Sequence, residues 1–102
     1  MFTEVSDEIC SIHTKAIKRG GFLAWSNEDR RFLSLALCGE VGELANFVKK
    51  QWRGDLKDFQ PDIEKEIADI QIYLILLAKS YGIDLEQAIQ NKLPEIRAKF
   101  GA

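Results

Sequence analysis

The stretch FLSLALCGEVGELANFVKKQW, Phe32 to Trp52, decides the fold. Phe32, Leu33, Leu37, Val41, Leu44, Phe47 and Val48 recur at intervals that suit an α-helix with a buried side, and no strand-like alternation runs through them. Just upstream, Ser26 followed by Asp29 resembles a capping box with Asp in place of the usual Glu. Gly54 stops the helix, and Asp55 to Gln60 reads as a short polar loop. Pro61 suits the first turn of a next helix, running through Ile63, Ile67, Ile70, Leu74 and Leu77 to about Tyr81. Gly82 ends it, and Asp84 with Gln87 caps a last helix through Leu85, Ala88, Ile89 and Leu93, which Pro94 is expected to kink or reset. On the N-terminal side, Val5, Ile9, Ile12, Ala16 and Ile17 mark a helix from about Glu4 to Lys18, closed by Gly20-Gly21. The pattern predicts an all-α, small helical bundle, one domain over residues 1–102. So short a chain buries a thin core, and a second copy is expected to complete it.

Bulk properties narrow the function. A net charge of −2 provides no general attraction for a nucleic acid polymer or an anionic membrane, so an anionic ligand needs local cations or metal. No apolar run approaches the roughly 20 residues of a membrane span. Glu4, Asp7 and Glu8 stand where a signal peptide would be basic and then apolar. Cys10 and Cys38 are far apart with no CxxC, which reads as reduced thiols in a cytoplasmic protein. The lone His13 excludes a histidine-rich metal site.

Two acid pairs share one spacing. Glu40 and Glu43 lie mid-way along the second helix, and Glu66 and Asp69 lie in the first half of the third. At about 100° per residue, Leu33, Ala36, Leu44 and Phe47 fall within about 40° of Glu40. Tyr73, Leu77 and Ile70 surround Glu66 in the same way, with Asp69 between Tyr73 and Leu76, whereas Glu64 points away. All four acids are therefore expected to face the bundle interior. Single acids on helices are usually solvated, but buried carboxylates are costly unless paired or bound to metal. Carboxylates without imidazole or thiolate select Mg²⁺, with Mn²⁺ as a substitute.

The run Leu35 to Ala45, the 22-residue gap from Glu43 to Glu66, Glu66-Ile67-Ala68-Asp69-Ile70 and Tyr81-Gly82-Ile83-Asp84-Leu85 resemble the MazG-like, all-alpha nucleoside triphosphate pyrophosphohydrolases. The resemblance covers roughly Leu33 to Lys92. It implies magnesium on Glu40, Glu43, Glu66 and Asp69, a site assembled in a homodimer or homotetramer, and deoxynucleotide substrates such as dCTP and dUTP. It also implies a phosphate contact for Lys92. The tail departs from the family's Lys…Asn…Arg-Tyr-Pro stretch, with Ile96 in place of Asn and Lys99-Phe100 in place of Arg-Tyr.

Further candidates follow from chemistry. Lys50 and Arg53, near the end of the second helix with Lys49, are candidates for the phosphates, although cations there also complement the helix terminus. Trp25 and Trp52 offer faces for stacking on a base. Gly39 and Gly42 are read as permitting close helix packing. No Gly-x-x-x-x-Gly-Lys loop is present. The expected function is Mg²⁺-dependent hydrolysis of a nucleoside triphosphate to monophosphate and pyrophosphate, for nucleotide-pool house-cleaning, with Glu43 as general base. The alternatives are a non-enzymatic helical interaction module whose acids pair with a partner, or the same enzyme class acting on a phosphoribosyl-linked nucleotide.

Overall fold

The computed structural model describes residues 2–20, 27–54 and 60–101. Four helices are present among them: α1 (Phe2–Gly20), α2 (Asn27–Arg53), α3 (Gln60–Ser80) and α4 (Leu85–Phe100). No strand occurs among the described residues. The all-α expectation therefore holds, with element ends shifted by a residue or two. Gln60 opens α3 rather than closing the loop before it, and Ser26 and residues 55–59 lie outside the described residues.

The stops use glycine where left-handed backbone is required. Gly82 has φ 70°; its N–H donates to Lys79 O at 2.9 Å, and the Ile83 N–H donates to Ala78 O at 2.9 Å. This closes the last turn of α3 without a Cβ penalty. Asp84 then caps α4, its Oδ1 accepting from the Gln87 N–H at 3.0 Å. The reciprocal half of a capping box is absent: the Gln87 amide donates forward to Asn91 Oδ1 at 2.9 Å. Pro94 does not reset α4, which runs through it to Phe100 and ends at left-handed Gly101. The carbonyl that Pro94 cannot satisfy belongs to exposed Gln90, where water can serve it.

Contacts far apart in sequence set the packing. Arg30 reaches Ser80, and Glu40 meets Glu66; advancing along α2 means retreating along α3, so the two helices are antiparallel. The α2–α3 contact is the most extensive, α1 rests on α3, and α4 touches α3 only lightly. Among the described residues, the buried apolar side chains are Leu33, Ile75, Leu76 and Ala78, near the end of the pair where Arg30 meets Ser80. That core is thin, and α4 contributes no buried residue.

Candidate active site

Antiparallel pairing brings the middle of α2 beside the first half of α3. One carboxylate oxygen from each of Glu40, Glu43 and Glu66 lies within 4.8 Å of the other two. Glu40 and Glu66 are half-buried, and the Oε2 atom of each is shielded from solvent without a hydrogen-bond donor. Ionised carboxylates only accept, so facing acids cannot satisfy one another. A proton between them, or a cation, resolves the deficit. Glu66 takes the first course in the metal-free protein: hydrogen bonding with Glu40, then burial, then Glu43, push its pKa from 4.5 up to about 7.

The residues fit a divalent cation. Three oxygen donors converge from two helices, two of their oxygens have no other partner, and the set is all carboxylate, the chemistry of a hard ion.

The raised pKa has a stability consequence. A carboxyl that is harder to ionise in the folded than in the unfolded chain stabilises the fold below the unfolded value, here about 4.5. That contribution is lost as pH rises through about 7. A divalent ion needs the ionised form, so its binding strengthens over the same interval. Added Mg²⁺ is expected to raise the melting temperature little at pH 5 and increasingly from pH 6 to 8, as read by calorimetry. An increment independent of pH would mean that the ion does not displace this proton.

The structure treats the other expected residues unequally. Asp69 is half-buried one turn along α3 but lies outside the group of three. Glu43 is exposed rather than interior, because it sits about 60° around α2 from Glu40, at the edge of the α2–α3 seam. Lys50, half-buried, is seven residues from Glu43 and so on the same helix face. Arg53 is exposed. Lys92 is exposed and paired with Glu95 on its own helix. Trp52 is 85% exposed, about 120° around α2 from Glu40. Trp25 lies outside the described residues. The expected close packing at Gly39 and Gly42 is not made among the described residues, since a Cβ at either would meet nothing within 4 Å.

Two contacts were not legible in the sequence. Asp29, read above as part of a cap, is buried, and its Oδ2 lies 3.6 Å from His13 Nε2, tying α1 to α2. Arg30 Nη2 donates to Ser80 O at 2.5 Å, and its guanidinium carbon lies 4.5 Å from the Tyr81 ring centroid. Each joins helices whose proximity no local pattern reveals.

The pattern of the MazG nucleotide pyrophosphohydrolase domain matches residues 29–98. The chain belongs to that family. The matched MazG region holds Glu40, Glu43, Glu66, Asp69, Lys50, Arg53, Trp52 and Lys92, while His13 and Trp25 precede it. The chain is 37% identical over 78 residues to dCTP pyrophosphatase 1 of Rattus norvegicus, covering 69% of this chain and 45% of that protein. Against the Homo sapiens protein of the same name, identity is 36% over 80 residues, covering 71% and 46%. It is also similar to the Gene 37 protein of Mycobacterium phage L5, 28% identical over 78 residues, covering 72% and 68%. The chain thus spans a little under half the length of the dCTP pyrophosphatases it matches. No solved structure matches it. MazG domains are nucleotide pyrophosphohydrolase domains, which favours an enzyme over an interaction module. Among the described residues, no helix is long and apolar enough to cross a membrane.

Proposed function

We propose that this chain hydrolyses a nucleoside triphosphate to its monophosphate and pyrophosphate with Mg²⁺, for which Mn²⁺ can substitute. The observation that carries this is the convergence of Glu40, Glu43 and Glu66, with shielded oxygens on Glu40 and Glu66 lacking any donor. Glu40, Glu43 and Glu66 hold the ion, and Asp69, a turn further along α3, adds the fourth carboxylate. When bound, the ion supplies positive charge against the phosphate oxygens and makes water more acidic.

The remaining steps belong to the protein's own residues. Glu43, the exposed member of the group, accepts a proton from the attacking water as general base. Lys50, on the same face of α2, binds the β and γ phosphates with Arg53 and Lys92, leaving the α-phosphorus presented to the water. Because Trp52 lies well around α2 from the acids, stacking on the base is assigned to Trp25. The relatives named dCTP pyrophosphatase 1 make dCTP the first substrate to test. A homodimer or homotetramer fits the thin core and the exposed Glu43. Free thiols at Cys10 and Cys38 fit a cytoplasmic location.

Reaction in ¹⁸O-labelled water tests the bond that breaks. The label is expected on the monophosphate, with pyrophosphate unlabelled and little orthophosphate. Label in pyrophosphate would mean attack at the β-phosphorus, and diphosphate with orthophosphate would mean γ-cleavage. Either overturns the proposed reaction.

A further inference from the structure

The helices α2 and α4 each carry a four-residue apolar stripe that is exposed. On α2 it is Val41, Ala45, Val48 and Trp52, half to almost fully exposed along a groove of about 520 Å³. On α4 it is Ile89, Leu93, Ile96 and Phe100, the last 72% exposed. Both stripes have steps of four, three and four residues, so their knobs repeat with the same rise, about 1.5 Å per residue. An apolar stripe of this length on a short helix needs cover. The chain is also open for its size: its radius of gyration is 16.4 Å, against about 13 Å for a compact chain of this length.

We propose that α4 of one copy packs antiparallel on the α2 stripe of a second copy, and that the contact is made twice in a reciprocal dimer. This deepens the oligomer reading above and rests on it.

Side-chain size and charge favour the antiparallel direction for this pairing. The α2 stripe is narrow near Ala45, beside Gly42, where a Cβ would meet nothing within 4 Å, and broad at Trp52. The α4 stripe is broadest at Phe100. Antiparallel pairing seats Phe100 in the hollow at Gly42 and Ala45 and lays Trp52 against Ile89 and Ala88. A parallel pairing would set Trp52 against Phe100. It would also bring together the two basic helix ends, with Lys50 and Arg53 on α2 and Arg97 and Lys99 on α4. The antiparallel arrangement instead carries Glu86, in the acidic first turn of α4, toward Lys49 and Arg53, and opposes the helix dipoles. The exchange is isologous as a whole, so it closes at two copies.

The register predicts which pairs cross-link. With Cys10→Ala and Cys38→Ala as background, a Val48→Cys chain is co-expressed with a Leu93→Cys chain. The antiparallel register sets these positions opposite one another, and a disulfide joining the two different chains is expected under mild oxidation. Val48→Cys with Phe100→Cys is expected to give none: that position is seven residues out of register, about 10 Å, beyond the reach of about 7 Å between Cα atoms. All three positions are solvent-facing in the single chain and outside the acid site. An oligomer by light scattering without the 48–93 cross-link, or with a 48–100 one, overturns this pairing and leaves the oligomer reading standing. A stable monomer at micromolar concentration overturns both.

Discussion

Glu66→Gln is expected to lower turnover by more than the about 100-fold that loss of an outer-shell partner of a metal costs, while raising the melting temperature of the metal-free protein at pH 8. The two effects have one cause. Glu66 faces Glu40 and Glu43 in a group of oxygens within 4.8 Å, an arrangement unfavourable for three ionised acids without a cation. An amide keeps the volume and gives Glu40 Oε2 a donor, but removes the charge a divalent ion requires. Glu40→Gln is expected to behave in the same way. Asp69→Asn should lower turnover without the gain in metal-free stability, because Asp69 lies outside the group of three. Glu64→Gln, on an exposed position of the same helix, should be silent in both assays. Steady-state kinetics paired with calorimetry in a chelator read both effects. A Glu66→Gln protein that retains activity, or that loses metal-free stability, would show that the acids do not form a cation site.

Leu33→Ala is expected to be the most damaging single truncation of the core. Leu33 is fully buried, and among the described residues the other buried apolar side chains are few and slightly less enclosed: Ile75, Leu76 and Ala78. Leucine-to-alanine changes in buried sites cost about 2–5 kcal/mol. At about 4–8 °C per kcal/mol for a domain of this size, the melting temperature should fall by upwards of about 10 °C. Leu35→Ala, two residues on and 74% exposed, should move it by less than about 4 °C, since surface substitutions stay within about 0.5 kcal/mol. Both sit in the same turns of α2, so helix propensity cannot account for the difference. Equal losses at the two positions would mean that the chain around Leu35 is covered in solution by another copy.

Both predictions draw on features that differ in how far they can be read from the chain alone. The four helices follow from apolar period and punctuation: Gly54 and Gly82 stop helices at positive φ, and Asp84 caps α4, because these are requirements of residues adjacent in sequence. The placing of Glu40 and Glu66 among apolar neighbours also follows, since the helical turn fixes which side chains share a face. Pro94 does not reset α4, because a helix tolerates proline where the freed carbonyl can reach water.

What the sequence by itself determined is the set of helices and the two acid pairs that carry the family resemblance. The tertiary structure decided which faces are covered. It left Glu43 at the rim, set Asp69 outside the group of three, turned Asp29 toward His13, and used Arg30 to tie α2 to the end of α3. It also left a second apolar face on α2 uncovered, where the sequence pattern merges Val41 and Val48 with the core positions. The physical reason is that periodicity gives angles within one helix. Distances between helices depend on the register in which they pair, and that register is set by contacts between residues far apart in the chain.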